Sequence, residues 1–157
     1  ARTRVHGADD PRTFAAAAAL AGVLRDGNRT AEAAPLYART LEGQRRVLGE
    51  GAPATAATAF DFARLRLRQR RLAEALPLLE LAARAADGVS ARERLLYGTA
   101  YGSTLVDVRQ YPRAESVLVA ARKATTGEIP ATDSLAVRHA DALTRLRERA
   151  AADHAHR

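Results

Sequence analysis

Arg29-Thr30-Ala31-Glu32-Ala33-Ala34-Pro35-Leu36-Tyr37 returns 42 residues later as Arg71-Leu72-Ala73-Glu74-Ala75-Leu76-Pro77-Leu78-Leu79. A degraded copy, Gln110-Tyr111-Pro112-Arg113-Ala114-Glu115-Ser116-Val117-Leu118, follows 39 residues after that. Self-similarity at such a period marks an array of stacked helix pairs. One pair cannot bury its apolar faces alone, so a neighbour must cover them. The apolar spacing agrees. Ala17, Leu20, Ala21 and Leu24 share one helix face ahead of the Gly27-Asn28 break. Ala33, Leu36, Tyr37, Thr40, Leu41 and Val47 form a second seam after it.

Outward from this stretch, helices are expected over 11–26, 30–48, 53–69, 72–86, 91–108, 112–124 and 132–151. Asp10 before Pro11 supplies an N-cap followed by a proline whose missing N–H costs nothing at that position. Ser90-Ala91-Arg92-Glu93 reads as a capping box. Thr3-Arg4-Val5-His6-Gly7-Ala8-Asp9-Asp10-Pro11 matches Arg45-Arg46-Val47-Leu48-Gly49-Glu50-Gly51-Ala52-Pro53 at the same offset of 42. Residues 1–10 are therefore expected to be the end of a preceding repeat and a linker, in a piece of a longer chain. Repeats are expected at 11–52, 53–89 and 90–129, then a capping helix at 130–152 and a frayed tail at 153–157. In that cap, Leu143 and Leu146 can face inward while the arginines face out.

The length of 157 residues fits one such stack. Aromatic residues are only 4% of the chain, so the core must come mainly from Ala and Leu. Small side chains let helices cross closely. Net charge is +7, and Lys123 is the only lysine. A basic balance favours acidic partners, though a solvated arginine is the ordinary fate of this residue on a helix surface. With no cysteine, thiol catalysis, thiolate metal sites and disulfides are excluded. No apolar run reaches membrane-spanning length, and no signal peptide is visible. The compartment stays open, with the cytoplasm as the default expectation.

The chain contains no Gly-rich phosphate loop, HExxH or GxSxG pattern. Glu32 and Glu74 recur at the repeat period, which marks them as architecture rather than an acid–base pair. His154 and His156 fall near the end of the chain, where metal binding would be weak and incidental. No catalysis, cofactor or metal is expected.

Glu32-Ala33-Ala34-Pro35-Leu36-Tyr37-Ala38-Arg39-Thr40-Leu41-Glu42, continued by Arg46-Val47-Leu48-Gly49, resembles the tetratricopeptide repeat in the long form seen in kinesin light chains. The small residues Ala21, Ala63 and Gly102 stand 12 positions before Ala33, Ala75 and Ala114, as that family's close helix crossing requires. The resemblance covers about residues 1–150. It implies an all-α fold: a right-handed superhelical α-solenoid of antiparallel helix pairs with a C-terminal capping helix. It also implies a non-catalytic protein–protein interaction module. Bacterial arrays of this kind often form the C-terminal part of multidomain signalling proteins, including serine/threonine kinases.

In that architecture the first helices line a concave surface. Helical spacing then puts Arg25, Phe60, Asp61, Arg64, Leu67, Arg68, Thr99, Ser103, Asp107, Arg138, Asp141 and Arg145 on or near it. Phe60, Arg64 and Arg68 share one helix face, which suits an acidic peptide or partner domain. Nucleic acid or another polyanion is the alternative ligand. It would need an arginine stripe with stacking aromatics, and only Phe60 lies near the cluster.

Three departures from the family pattern stand out. Its paired concave asparagines are replaced by Ala18-Ala19, Phe60-Asp61 and Thr99-Ala100, so a backbone clamp made by such asparagines does not carry over. Arg66 stands where Leu24 and Leu105 stand in the other repeats: either its stem packs and its head reaches solvent, Asp61 or Glu80, or the second repeat is locally irregular. His139 replaces Leu20, Phe62 and Tyr101, and a half-buried histidine is expected there.

Overall fold

The computed structural model describes residue 7 and residues 9–85 and 88–155. Seven helices and no strand occur among them: α1 (Pro11–Asp26), α2 (Thr30–Val47), α3 (Pro53–Arg68), α4 (Leu72–Arg84), α5 (Ala91–Asp107), α6 (Tyr111–Lys123) and α7 (Ser134–Ala155). The chain divides into two compact units at residues 87 and 88. The first holds α1 to α4 and the second α5 to α7. Consecutive helices pack as pairs, α1 on α2, α3 on α4 and α5 on α6, and α7 packs on α5 and α6. The fold is all-α, as expected. The preceding-repeat turn expected over 1–6 lies outside the described residues, as do residue 86 and residues 156–157.

The first helix of each pair ends in the same way. Asn28, Arg70 and Arg109 adopt left-handed backbone, with φ of 59°, 60° and 61°. The next amide then reaches back five residues: Arg29 N–H to Leu24 C=O at 2.8 Å, Arg71 to Arg66 at 2.9 Å, and Gln110 to Leu105 at 2.9 Å. This is the Schellman arrangement, which satisfies carbonyls that the helix leaves open. The loops between pairs repeat as well. Thr13 Oγ1 donates to the Gly7 carbonyl at 2.9 Å, and Thr55 Oγ1 to the Gly49 carbonyl at 2.8 Å.

Helix starts follow the capping signals. The Asp10 side chain accepts from the Arg12 N–H at 2.8 Å. Ser90 and Glu93 form both halves of the capping box. The last helix opens at Ser134, not 132, because Asp133 accepts from the Leu135 N–H at 2.7 Å. It continues to Ala155, beyond the expected end near 151. Residues 153–155, expected to fray, are part of this helix, and Asp153 accepts from the Tyr111 hydroxyl at 2.8 Å and faces Arg109 at 3.5 Å.

Small residues dominate the interior. In the first unit Ala21, Ala33, Ala56, Ala59, Ala63, Ala75 and Ala82 are fully buried beside Tyr37, Leu65 and Leu79. In the second, Leu95, Ala121, Ile129, Leu135 and Ala136 form one cluster, and the Gly102 backbone lies directly against Leu118. Arg66 finds neither Asp61 nor Glu80. Its guanidinium lies 4.8 Å above the Phe62 ring and reaches Glu74 at 3.1 Å and Gln69 at 2.9 Å. The stem thus packs inside while the head is held across the turn into α4. Asp61 and Glu80 are instead taken by other arginines, Arg25 and Arg84 respectively.

Candidate functional site

In the second unit, α5 and α7 leave a cleft of about 420 Å³ between them. Leu96, Thr99, Ala100 and Ser103 line it from α5, and Leu135, Arg138, Asp141, Ala142 and Arg145 from α7. Five of the residues singled out from the sequence therefore share one cavity: Thr99, Ser103, Arg138, Asp141 and Arg145. Asp107 does not line it, and its carboxylate accepts from Arg149 at 3.1 Å. The apolar walls, Leu96, Ala100, Leu135 and Ala142, were not singled out. Their signal was available: 96 and 100 are one helical turn apart on α5, and 135 and 142 two turns apart on α7.

The two walls differ in chemistry. Thr99 is buried, so its hydroxyl belongs to the wall rather than the rim. Its Oγ1 donates to the Leu95 carbonyl at 2.6 Å and lies 2.8 Å from His139 Nδ1. Arg138, Asp141 and Arg145 are exposed along one face of α7. None of the three forms an ion pair with another described residue, so the rim presents two cations and one anion to solvent.

In the first unit, the six residues singled out divide differently. Arg25 is buried, contrary to the expectation of a surface position. It donates to Asp61 at 2.6 Å, to Asp26 at 2.9 and 3.3 Å, and to the Tyr37 hydroxyl at 3.2 Å. Tyr37 stacks on Phe62 at 5.6 Å, which draws the network into the packing of α1, α2 and α3. The hydrogen bond to Asp26 is the main influence raising the Arg25 pKa, against a burial effect that lowers it. The same bond holds the Asp26 carboxyl below its ordinary value. Burial, aided by the Asp61 charge, pushes the Tyr37 hydroxyl up to about 12.

Arg64 and Arg68 are exposed but engaged. Arg64 faces Asp61 at 3.4 Å. Arg68 donates to the Arg25 carbonyl at 3.0 Å and lies 4.0 Å from Asp26. Phe60 and Leu67 are half-buried on the same helix. This face is a set of internally matched charges, with Asp61 and Asp26 already holding the cations that a ligand would need. Among the described residues, no cluster of His, Asp or Glu could hold a metal ion. No described helix is long and apolar enough to cross a membrane.

Residues 13–87 match the family model for the tetratricopeptide repeat. No curated protein matches the chain. Two crystal structures from Podosopora anserina resemble it, both of nearly identical TPR-like repeats in a protein described as a kinesin light chain. One, of a single-substitution variant of that protein, superposes with a TM-score of 0.78 at 17% identity, covering 94% of this chain and 71% of that one. The second has a TM-score of 0.69 at 17% identity, covering 96% and 81%. At this identity the likeness establishes the fold, which agrees with the helix pairs described above. Residues 13–87 are similar to the tetratricopeptide repeat, and the chain as a whole has the fold of TPR-like repeats.

Proposed function

We propose that the chain is a non-catalytic protein-interaction module whose α5/α7 cleft takes an extended peptide with acidic side chains. The observation that carries this reading is the α7 rim: Arg138 and Arg145, exposed and without an ion pair among the described residues, above apolar walls. The two are seven residues apart, or about 10 Å along a helix. An extended peptide in the polyproline II conformation rises about 3.1 Å per residue with three residues per turn, so acids three positions apart share one face and roughly match that spacing. Arginine suits carboxylates because its planar fork donates two parallel hydrogen bonds. Asp141 between them disfavours a third acid in the middle of the ligand.

The match of residues 13–87 to the tetratricopeptide repeat supports the class of function, since such repeats generally mediate protein–protein interaction and are typically non-catalytic. The resemblance to bacterial signalling arrays supports a place in a larger cytoplasmic signalling protein. The test is a peptide library of acidic and basic sequences, titrated against the chain and against Arg138→Glu/Arg145→Glu. Acidic peptides with carboxylates three apart should bind, and each lost charge-assisted pair should weaken binding about tenfold or more. Ala100→Gln, which fills the cleft, should weaken binding without altering helicity. If no acidic peptide binds at low salt, the reading falls.

A further inference from the structure

A titratable ring lies directly beneath that cleft. His139 on α7 is 2% exposed, far more buried than the sequence suggested. Its Nδ1 lies 2.8 Å from Oγ1 of Thr99, a residue of the cleft wall. Thr99 has one hydroxyl hydrogen, and the Leu95 carbonyl takes it at 2.6 Å. Thr99 therefore accepts from an Nδ1–H, and the other nitrogen is left as a bare acceptor. That nitrogen, Nε2, is buried without a hydrogen-bond partner. Buried polar atoms are rarely left this way, and adding a proton here would place a cation where water does not reach.

The surroundings of the ring offer that cation little. From α5 it meets the neutral Thr99. From α6 it meets the Leu118 carbonyl and the positive charge of Arg122. No carboxylate of the described residues acts on it from any of the three helices. Burial is the main influence holding its pKa below the ordinary value, Arg122 adds to this, and the Leu118 carbonyl opposes it.

We infer that His139 is an acid-sensitive latch: its protonation undocks α7 from α5 and α6 and dismantles the α5/α7 cleft. Arg138, Asp141, Ala142 and Arg145 all ride on α7, so the cleft cannot persist when that helix leaves. Loss of the cleft would release any ligand held there. The release of ligand rests on the peptide reading above, whereas the undocking does not.

The direction follows from linkage. With α7 undocked, the ring is solvated and takes up a proton at about pH 6.5. Docked, it resists. Below about pH 6.5 the open form binds more protons, and opening is favoured up to tenfold per pH unit until the docked ring also titrates. Above that pH, docking is unaffected.

The experiment is amide hydrogen exchange across α7, from pH 7.5 to 5.0, corrected for intrinsic exchange. It uses the chain and two variants that cannot titrate at this position, His139→Leu and His139→Gln. The imidazole resonances of His139 and the exposed His154 are followed in the same samples. The unaltered chain should show opening of α7 at pH 5.5 about fivefold greater than at 6.5 and about tenfold greater than at 7.5, while both variants stay flat. Equal pH profiles in all three, or a His139 that titrates like His154 with α7 still protected, would overturn the inference. If neither variant folds, the resonance titration with exchange on the unaltered chain decides alone. Binding of the acidic peptide is measured in parallel. Acid opening without peptide binding at pH 7.5 sinks only the peptide reading. Binding at pH 7.5 that persists at 5.5 with α7 docked sinks only the latch.

Discussion

Gly22 and Gly98 both sit inside helices, yet a methyl group at each would meet opposite surroundings. At Gly22 the nearest atom is the Tyr37 hydroxyl at 3.6 Å, an ordinary contact. At Gly98 a methyl would overlap the Ala121 methyl, which is fixed to the α6 backbone and cannot rotate away. Gly22→Ala should therefore stabilise the chain by about 0.5–1 kcal/mol through helix propensity alone. Gly98→Ala should destabilise it by about 1–3 kcal/mol, since α5 and α6 must separate. Urea denaturation of the two variants checks this, and shifts of the same sign would show that the α5/α6 crossing is looser than the structure has it. Gly102 was readable as a crossing residue because it recurs 12 positions before a small partner. Gly98 was not, because its contact falls on a second turn that leaves no repeated pair. Arg25 was misplaced for a related reason. Helical spacing assigns a face but cannot see that Tyr37 and Asp61, 12 and 36 residues away, close over the guanidinium.

At the scale of elements, the sharpest test concerns the turn within each pair. Gly27-Asn28 announced the first turn in the sequence. At the other two, the left-handed residue is an arginine, whose Cβ is strained in that conformation. The periodicity still located these turns to within a residue or two, because the apolar seam changes face there whatever residue makes the bend. Arg70→Gly and Arg109→Gly should each raise stability, by a few tenths to about 1 kcal/mol, since relief of strain outweighs the added freedom of the unfolded glycine. Asn28→Gly should gain less, as asparagine tolerates this region. Arg70→Ala serves as control, because it keeps the Cβ and should give no gain. Thermal melting of the four variants separates these outcomes, and a gain for Arg70→Ala equal to that for Arg70→Gly would assign the effect to the lost charge instead. The ends of α7 were less legible than its existence. Asp133 caps one end locally, but the hold on Asp153 comes from Tyr111 and Arg109, more than 40 residues away in the chain.

For the molecule as a whole, composition declared a net charge of +7 but not which cations are available. The structure separates them. Arg64 and Arg68 in the first unit face Asp61, Asp26 and a backbone carbonyl, whereas Arg138 and Arg145 in the second face solvent. Spacing alone treats the two sets alike, and the Phe60 face even looked the stronger because an aromatic accompanies it. Ion pairs between exposed side chains are each worth about 0–1 kcal/mol. Raising salt from about 0.05 to 0.5 M, which shortens the screening length several-fold, should therefore barely move the melting temperature. Binding of an acidic peptide should respond to the same change, because its contacts depend on cations with no ion-pair partner among the described residues. Its affinity should fall with salt in the unaltered chain and in Arg64→Glu/Arg68→Glu alike. In Arg138→Glu/Arg145→Glu the affinity should be low at every salt and nearly independent of it. Both double variants lower the net charge by the same amount, so a general attraction to a basic protein would weaken binding equally in the two. Equal loss would return the charge effect to the chain's overall field; loss confined to the α7 pair would place it in the cleft.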